Sequence, residues 1–152
     1  MIEITRELDR EQLAYEVISH RRTQTAGDEA AAVGVSPSEV AKTVVLVTED
    51  GYARAVLPAS ERLDLHKARE LLGGGKHTRL ATEEELAAAY PMFELGAVPP
   101  FGGPGGDIVI VDSRLADRDS VVLEAGSHDE SVRMKSADLV TLAGAKVADI
   151  ST

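Results

Sequence analysis

Apolar positions along the chain fall into short runs with two different periods. Leu13 with Val17, and Ala14 with Ile18, recur at i, i+4, which predicts an amphipathic helix from about Leu8 to His20 with a polar exit at His20-Arg21-Arg22. A second helix is expected from Asp28 through EAAAV, stopping at Gly34, because glycine adopts the left-handed C-terminal conformation cheaply. Ser36, Pro37 and Glu39 then sit at the N-cap, first and third positions of a capping box, so a further turn of helix opens at once. The β-branched run TVVLVT, Thr43 to Thr48, reads as a buried strand with Lys42 at its entrance. Glu49-Asp50-Gly51 signals a hairpin, and Tyr52 to Leu57 returns antiparallel, closed by Pro58.

The second half continues in the same style. A helix from Asp64 to Leu72 ends in Gly73-Gly74-Gly75, and another opens at the capping pair Thr82 and Glu85 and stops at Pro91. The segment GAVPPFGGPGGD, Gly96 to Asp107, is too rich in proline and glycine for regular structure. Ile108 to Asp112, Ser120 to Ala125 and Ser131 to Met134 predict three strands, followed by a short helix from Ser136 to Leu142 and a last strand from Lys146 to Ile150. No linker or repeat interrupts the pattern, so residues 1–152 are expected to form a single domain. Helices and strands mix without strict alternation, which predicts a mixed α/β sheet rather than a doubly wound fold.

Composition narrows the chemistry. With 152 residues, 43% hydrophobic, the chain can bury a core without staples, and with no cysteine it offers no disulfide, thiolate ligand or thiol nucleophile. The net charge of −10 opposes nonspecific coating of DNA or RNA, and 3% aromatic residues without tryptophan leave little to stack bases on. The start, MIEITRELDREQ, is charged from the third residue, and no run approaches the roughly 18 apolar residues of a membrane span; a cytoplasmic protein without membrane contact is expected.

Common catalytic signatures are missing. A phosphate loop around Gly75-Lys76 would need glycine where Glu70 stands and Ser or Thr where His77 stands. His20, His66, His77 and His128 form neither HExxH nor an i, i+4 pair, so no metal site is expected, and Ser127 lacks a nucleophile-elbow glycine pattern. What remains is Lys42 at a strand entrance, the Gly/Pro loop, and the turn Gly126-Ser127-His128. A lysine ammonium is a point charge suited to phosphate or a polarised carbonyl, and glycine-opened loops leave N–H groups free for an anion. Together they suggest electrostatic positioning of a substrate rather than nucleophilic attack by the protein, although each also has an ordinary structural explanation.

In order and spacing, AAAVGVSPSEVAKTVVLV, DLHKARELLG, RLATEEEL, GAVPPFG, IVIVD, EAGSHDESVRM and DLVTLAGAKVADI resemble the YbaK and prolyl-tRNA-synthetase-associated editing domains, which are aminoacyl-tRNA deacylases. The resemblance implies a mixed, partly barrel-like sheet surrounded by short helices, and hydrolysis of the ester joining a wrongly attached small amino acid (alanine, cysteine or serine) to a tRNA, most often the proline tRNA. By position, Lys42 is the family's essential lysine at the 3′-terminal nucleotide, and Gly96 opens the G-x-x-x-P motif ending at Pro100, with Gly102 shaping the same loop. His128 falls at a position that is histidine in many relatives, which implies a catalytic pocket residue that orients water or substrate, and Gly126 and Ser127 precede it in the substrate-side turn. Ile18, Thr43, Val98, Phe101 and Met134 are candidate pocket walls, with plain core packing as the equal alternative. Arg21 and Arg22, with some of Lys67, Lys76 and Arg79, are candidate acceptor-stem contacts. The family's chemistry is substrate-assisted, with no cofactor, and implies the aminoacyl-tRNA 3′ end and a prolyl-tRNA synthetase as partners. A non-catalytic module that binds an aminoacyl group or RNA end, or docks on a synthetase, is the competing reading.

Overall fold

Local chemistry in the turns sets most element ends of the computed structural model, which describes residues 2–73, 77–103 and 106–152. In chain order the elements are α1 (Ile2–Arg10), β1 (Tyr15–Ser19), α2 (Ala26–Val33), a 3-10 turn (Pro37–Glu39), β2 (Val40–Thr48), β3 (Gly51–Pro58), α3 (Leu65–Leu72), β4 (Arg79–Leu80), α4 (Glu83–Ala89), β5 (Ile108–Asp112), α5 (Ser113–Ala116), β6 (Ser120–Glu124), β7 (Glu130–Lys135), α6 (Ser136–Ala143) and β8 (Lys146–Ala148). Thr25 Oγ1 caps α2 by accepting from Asp28 N at 3.0 Å, and Gly34 ends it at φ 85°. Both capping boxes form, Ser36 with Glu39 and Thr82 with Glu85.

The expected helix from Leu8 to His20 is not there. Helix α1 lies earlier, and Gln12, at φ 57°, turns the chain into β1, with Leu13 N bonded back to Leu8 O at 3.0 Å. The four-residue spacing of Leu13/Val17 and Ala14/Ile18 fits a helix, but antiparallel pairing with β7, Tyr15 opposite Met134 through Ser19 opposite Glu130, decides for strand. Strand β4 and helix α5, too short to leave a periodic pattern, were not expected from sequence.

All eight strands join one mixed sheet in the order β1-β7-β6-β2-β3-β5-β8, with β4 attached to β2. Pairs β2/β6, β3/β5 and β5/β8 are parallel and the others antiparallel. The mixed α/β architecture is as expected, but among the described residues the sheet does not close into a barrel, since β1 and β8 end the hydrogen-bonded path.

Strand alternation loads both faces. One face carries Ala41, Val56, Val109, Val111, Leu123, Val132 and Met134 against Ile4 and Leu8 of α1, Leu115 of α5 and Leu139 of α6. The other carries Leu46, Ala53, Ala55, Leu57 and Ile110 against Ala68 of α3. Helix α2 covers Val40 and Val122 with Ala30. No helix among the described residues is long and apolar enough to cross a membrane.

One edge of β2 positions the site. Val40 and Ala41 pair with Val122 and Leu123 of β6, whereas Leu46 and Val47 pair with Leu80 and Arg79 of β4. Between these partners the edge carries Lys42 and Thr43 with no strand of the described residues beside them.

Candidate functional site

That interruption in the sheet is a cavity of about 110 Å³, lined by Lys42 and Thr43 of β2, Gln24, Thr25 and Ala26 at the start of α2, Glu124 at the end of β6, and Gly96, Val98, Pro99 and Pro100 of the Gly/Pro loop. The volume is well below the roughly 300–1,000 Å³ of clefts that hold drug-sized ligands, so the site fits a small group. Lys42 Nζ donates to Glu61 O at 2.6 Å, which tethers the ammonium. Burial, followed by the nearby Arg62 charge, lowers the Lys42 pKa, with Glu61 opposing.

The loop is held by a buried cation. Arg54, 2% exposed on β3, donates from Nη1 to Pro99 O (2.9 Å), from Nη2 to Gly102 O (2.7 Å) and from Nε to Asp107 Oδ2 (3.0 Å). Its guanidinium lies 4.9 Å from the Tyr90 ring centroid, and the Tyr90 hydroxyl donates to the same Asp107 carboxylate. Burial and that hydrogen bond push the Tyr90 hydroxyl up to about 12. The guanidinium fork therefore fixes two carbonyls of a segment that has no ladder of its own.

Gly96 has φ 84°, and a Cβ built there would meet the His128 ring at 3.6 Å. The Ala97 N–H turns back to Glu94 O at 3.0 Å, while among the described residues the N–H groups of Gly96 and Val98 find no partner in the protein. Glu94 ties the loop to the following turn: its N–H donates to Gly126 O (2.8 Å), its Oε2 accepts from His128 N (2.8 Å) and its Oε1 from Arg22 (3.2 Å). These bonds hold the Glu94 carboxyl below the usual range, the His128 N–H foremost.

At the cavity wall and behind it lie two more acids and a histidine. His128 Nε2 is 2.7 Å from Leu95 O, and because a carbonyl only accepts, Nε2 carries the hydrogen. Its Nδ1 stands 2.9 Å from Glu124 Oε2, in ion-pair contact but without hydrogen-bond alignment. Burial, with the Glu94 charge behind it, raises the Glu124 carboxyl to about 7. Glu29 of α2, fully buried, takes a hydrogen bond from Ser131 Oγ at 2.5 Å, and Ser131 Oγ also meets His20 Nε2 at 2.8 Å. Burial dominates its environment, outweighing that hydrogen bond, and raises Glu29 to about 8.

Of the residues expected at the site, Lys42, Thr43, Gly96, Val98 and Pro100 meet in the cavity. His128 is buried directly behind Gly96, outside the cavity lining, with Nε2 bonded to Leu95 O and Nδ1 against Glu124. Gly126 is an acceptor for Glu94, and Ser127 Oγ donates to Asp129 at 2.9 Å. Phe101 and Met134 belong to the core, at 4% and 2% exposure, and Gly102 faces a separate depression with Phe101. Ile18 lies on β1 opposite Ser131, away from the lining. Arg21 and Arg22 are exposed just before the lining segment Gln24–Ala26, Arg22 being paired with Glu94. Lys67 is paired with Asp149 and Arg79 with Glu85, and Lys76 lies outside the described residues. Arg54, Glu124, Glu29 and the Gln24–Ala26 segment were not singled out from sequence; the signal for Arg54 and Glu124 was a charge inside an apolar strand run, YARAVL and SVVLE. No group of three His, Asp or Glu that could hold a metal ion occurs among the described residues.

Residues 20–142 match the family described as aminoacyl-tRNA editing domain. Among solved structures, a protein described as a proposed trans-editing enzyme for prolyl tRNA synthetase is similar at 30% identity and TM-score 0.88, with 99% of this chain and 96% of that chain covered. Another, described as hypothetical protein APE2540, is similar at 28% identity and TM-score 0.90, with 99% of both chains covered.

Proposed function

The chain belongs to the aminoacyl-tRNA editing domain family, and from that premise we propose that it is a free-standing deacylase that hydrolyses the ester of a small amino acid wrongly attached to a tRNA, with alanine, cysteine or serine on the proline tRNA as the leading substrates. The observation that carries the reading is the cavity itself, which gathers a half-buried lysine and a glycine-opened loop with two unpartnered N–H groups around a space of about 110 Å³. In this mechanism the Lys42 ammonium anchors the terminal nucleotide. The Gly96 and Val98 amides receive the carbonyl oxygen as it becomes an oxyanion, a contribution that in other enzymes reaches about 10²–10³-fold per donor. Glu29 is taken up by Ser131 away from the cavity and His128 stands against Glu124, so in this reading the attacking water is positioned by a ribose hydroxyl of the substrate rather than by a side-chain base. The acyl carbon–oxygen bond breaks, leaving the free amino acid and the tRNA hydroxyl. A cytoplasmic location, and action beside a prolyl-tRNA synthetase, belong to the same proposal.

The test is deacylation of proline tRNA charged with alanine, cysteine, serine or proline, by the wild-type chain and by Lys42→Ala. Hydrolysis of a mischarged species that disappears in Lys42→Ala supports the reading. No turnover on any species, with tRNA-end binding intact, would replace it with the non-catalytic module.

A further inference from the structure

The cavity has two charged walls among the described residues, Lys42 and Glu124. Lys42 is accounted for by its tether to Glu61 O and its place at the strand edge. Glu124 is not. Its side chain is 11% exposed, and among the described residues its Oε2 has no hydrogen-bond partner and the one ionic group that touches it is His128, at 2.9 Å. Among the described residues neither lysine nor arginine balances it, while Glu94 adds a second negative charge. Burying a carboxylate without a cation is costly, so a carboxylate kept at the wall of a small cavity favours a cationic group beside it.

An aminoacyl ester supplies the missing charge. Its α-ammonium is attached to the carbon next to the ester carbonyl, so a carbonyl oxygen at the Gly96–Val98 amides leaves the ammonium within the same small space. We propose that Glu124 is the receptor for the α-ammonium of the substrate's acyl group. The assignment rests on the aminoacyl-ester reading above and adds a specificity to it: esters with a free α-amine are accepted, and those in which the amine is replaced by a hydroxyl are disfavoured. Glu94, Glu29 and His128 are the charged or titratable neighbours of Glu124, and a bound ammonium offsets the first two, drawing the raised Glu124 carboxyl down toward its ionised form.

Stable amide analogues separate this from turnover. Binding of 3′-alanylamino-3′-deoxyadenosine and its lactyl counterpart, which has a hydroxyl for the amine, is measured by calorimetry on wild type, Glu124→Gln and Glu124→Asp. The wild type is expected to prefer the alanyl analogue by about tenfold or more, Glu124→Gln to bring the ratio near one, and Glu124→Asp to retain part of it. A wild-type ratio near one overturns the assignment whether or not any variant folds, and so does a full ratio that survives in Glu124→Gln. A normal binding ratio in a wild-type chain that hydrolyses no ester supports the ammonium site and overturns the deacylase reading alone.

Discussion

Replacing Glu29 by glutamine isolates the energetic consequence of the buried acid cluster. Glu29 is fully buried, and its pKa is raised from 4.5 to about 8, chiefly by burial and further by the Glu124 charge, against the lowering effects of Ser131 and His128. The folded chain then holds a proton that the unfolded chain releases above pH 4.5, so the neutral carboxyl's contribution is complete below 4.5 and is lost as pH rises toward 8. At about 1.4 kcal/mol per pH unit, the interval from 4.5 to about 8 sets a ceiling of roughly 5 kcal/mol on this loss. Glutamine is nearly isosteric, remains neutral and still accepts from Ser131 Oγ. Urea unfolding of both proteins from pH 5 to 9 is therefore expected to show similar stability near pH 5 and a growing advantage for Glu29→Gln above pH 6. The variant's own profile retains a weaker fall, because Glu124 is raised in the same direction, to about 7. Parallel profiles across the whole range would refute the reasoning, as they would mean that Glu29 is ionised or solvated in the folded chain.

Arg54→Met removes the clamp on Pro99 O and Gly102 O and leaves Asp107 without its cation, with the Tyr90 hydroxyl as its remaining donor; a loss of about 3–5 kcal/mol in urea unfolding is expected, and no measurable loss would deny the clamp. Leu123→Ala, at a position with no exposure in the main core, should cost about 2–5 kcal/mol with an unchanged denaturant slope. Gly96→Ala forces a side chain to φ 84° with room beside His128 at 3.6 Å, so its stability cost should stay near 1–2 kcal/mol while ester hydrolysis falls much further; equal hydrolysis would remove the loop from the mechanism. Reversing the charges of Arg21 and Arg22 should weaken tRNA binding and flatten its salt dependence, and unchanged affinity in a filter-binding assay would exclude them as acceptor-stem contacts.

The capping boxes at Ser36 and Thr82, the left-handed ends at Gly34 and Gly73, the β2–β3 hairpin and the irregular Gly/Pro loop were legible because each depends on bonds within a few residues. Lys42 and Gly96 were legible by their setting in strand and loop and by family resemblance. The stretch from Leu8 to Ser19 was not, since its spacing satisfies helix and strand alike and only the distant β7 chooses between them. Nor was the wall of the site: Glu124 stands 82 positions after Lys42 in the numbering, and the two share a cavity solely because β2 leaves β6 after Ala41. The sequence by itself determined where elements start, stop and reverse, through local hydrogen bonding and backbone sterics. The tertiary structure alone decided which charges are buried together, because the low-polarity environment that makes Arg54 a clamp and Glu124 an unbalanced acid exists only once distant strands have assembled.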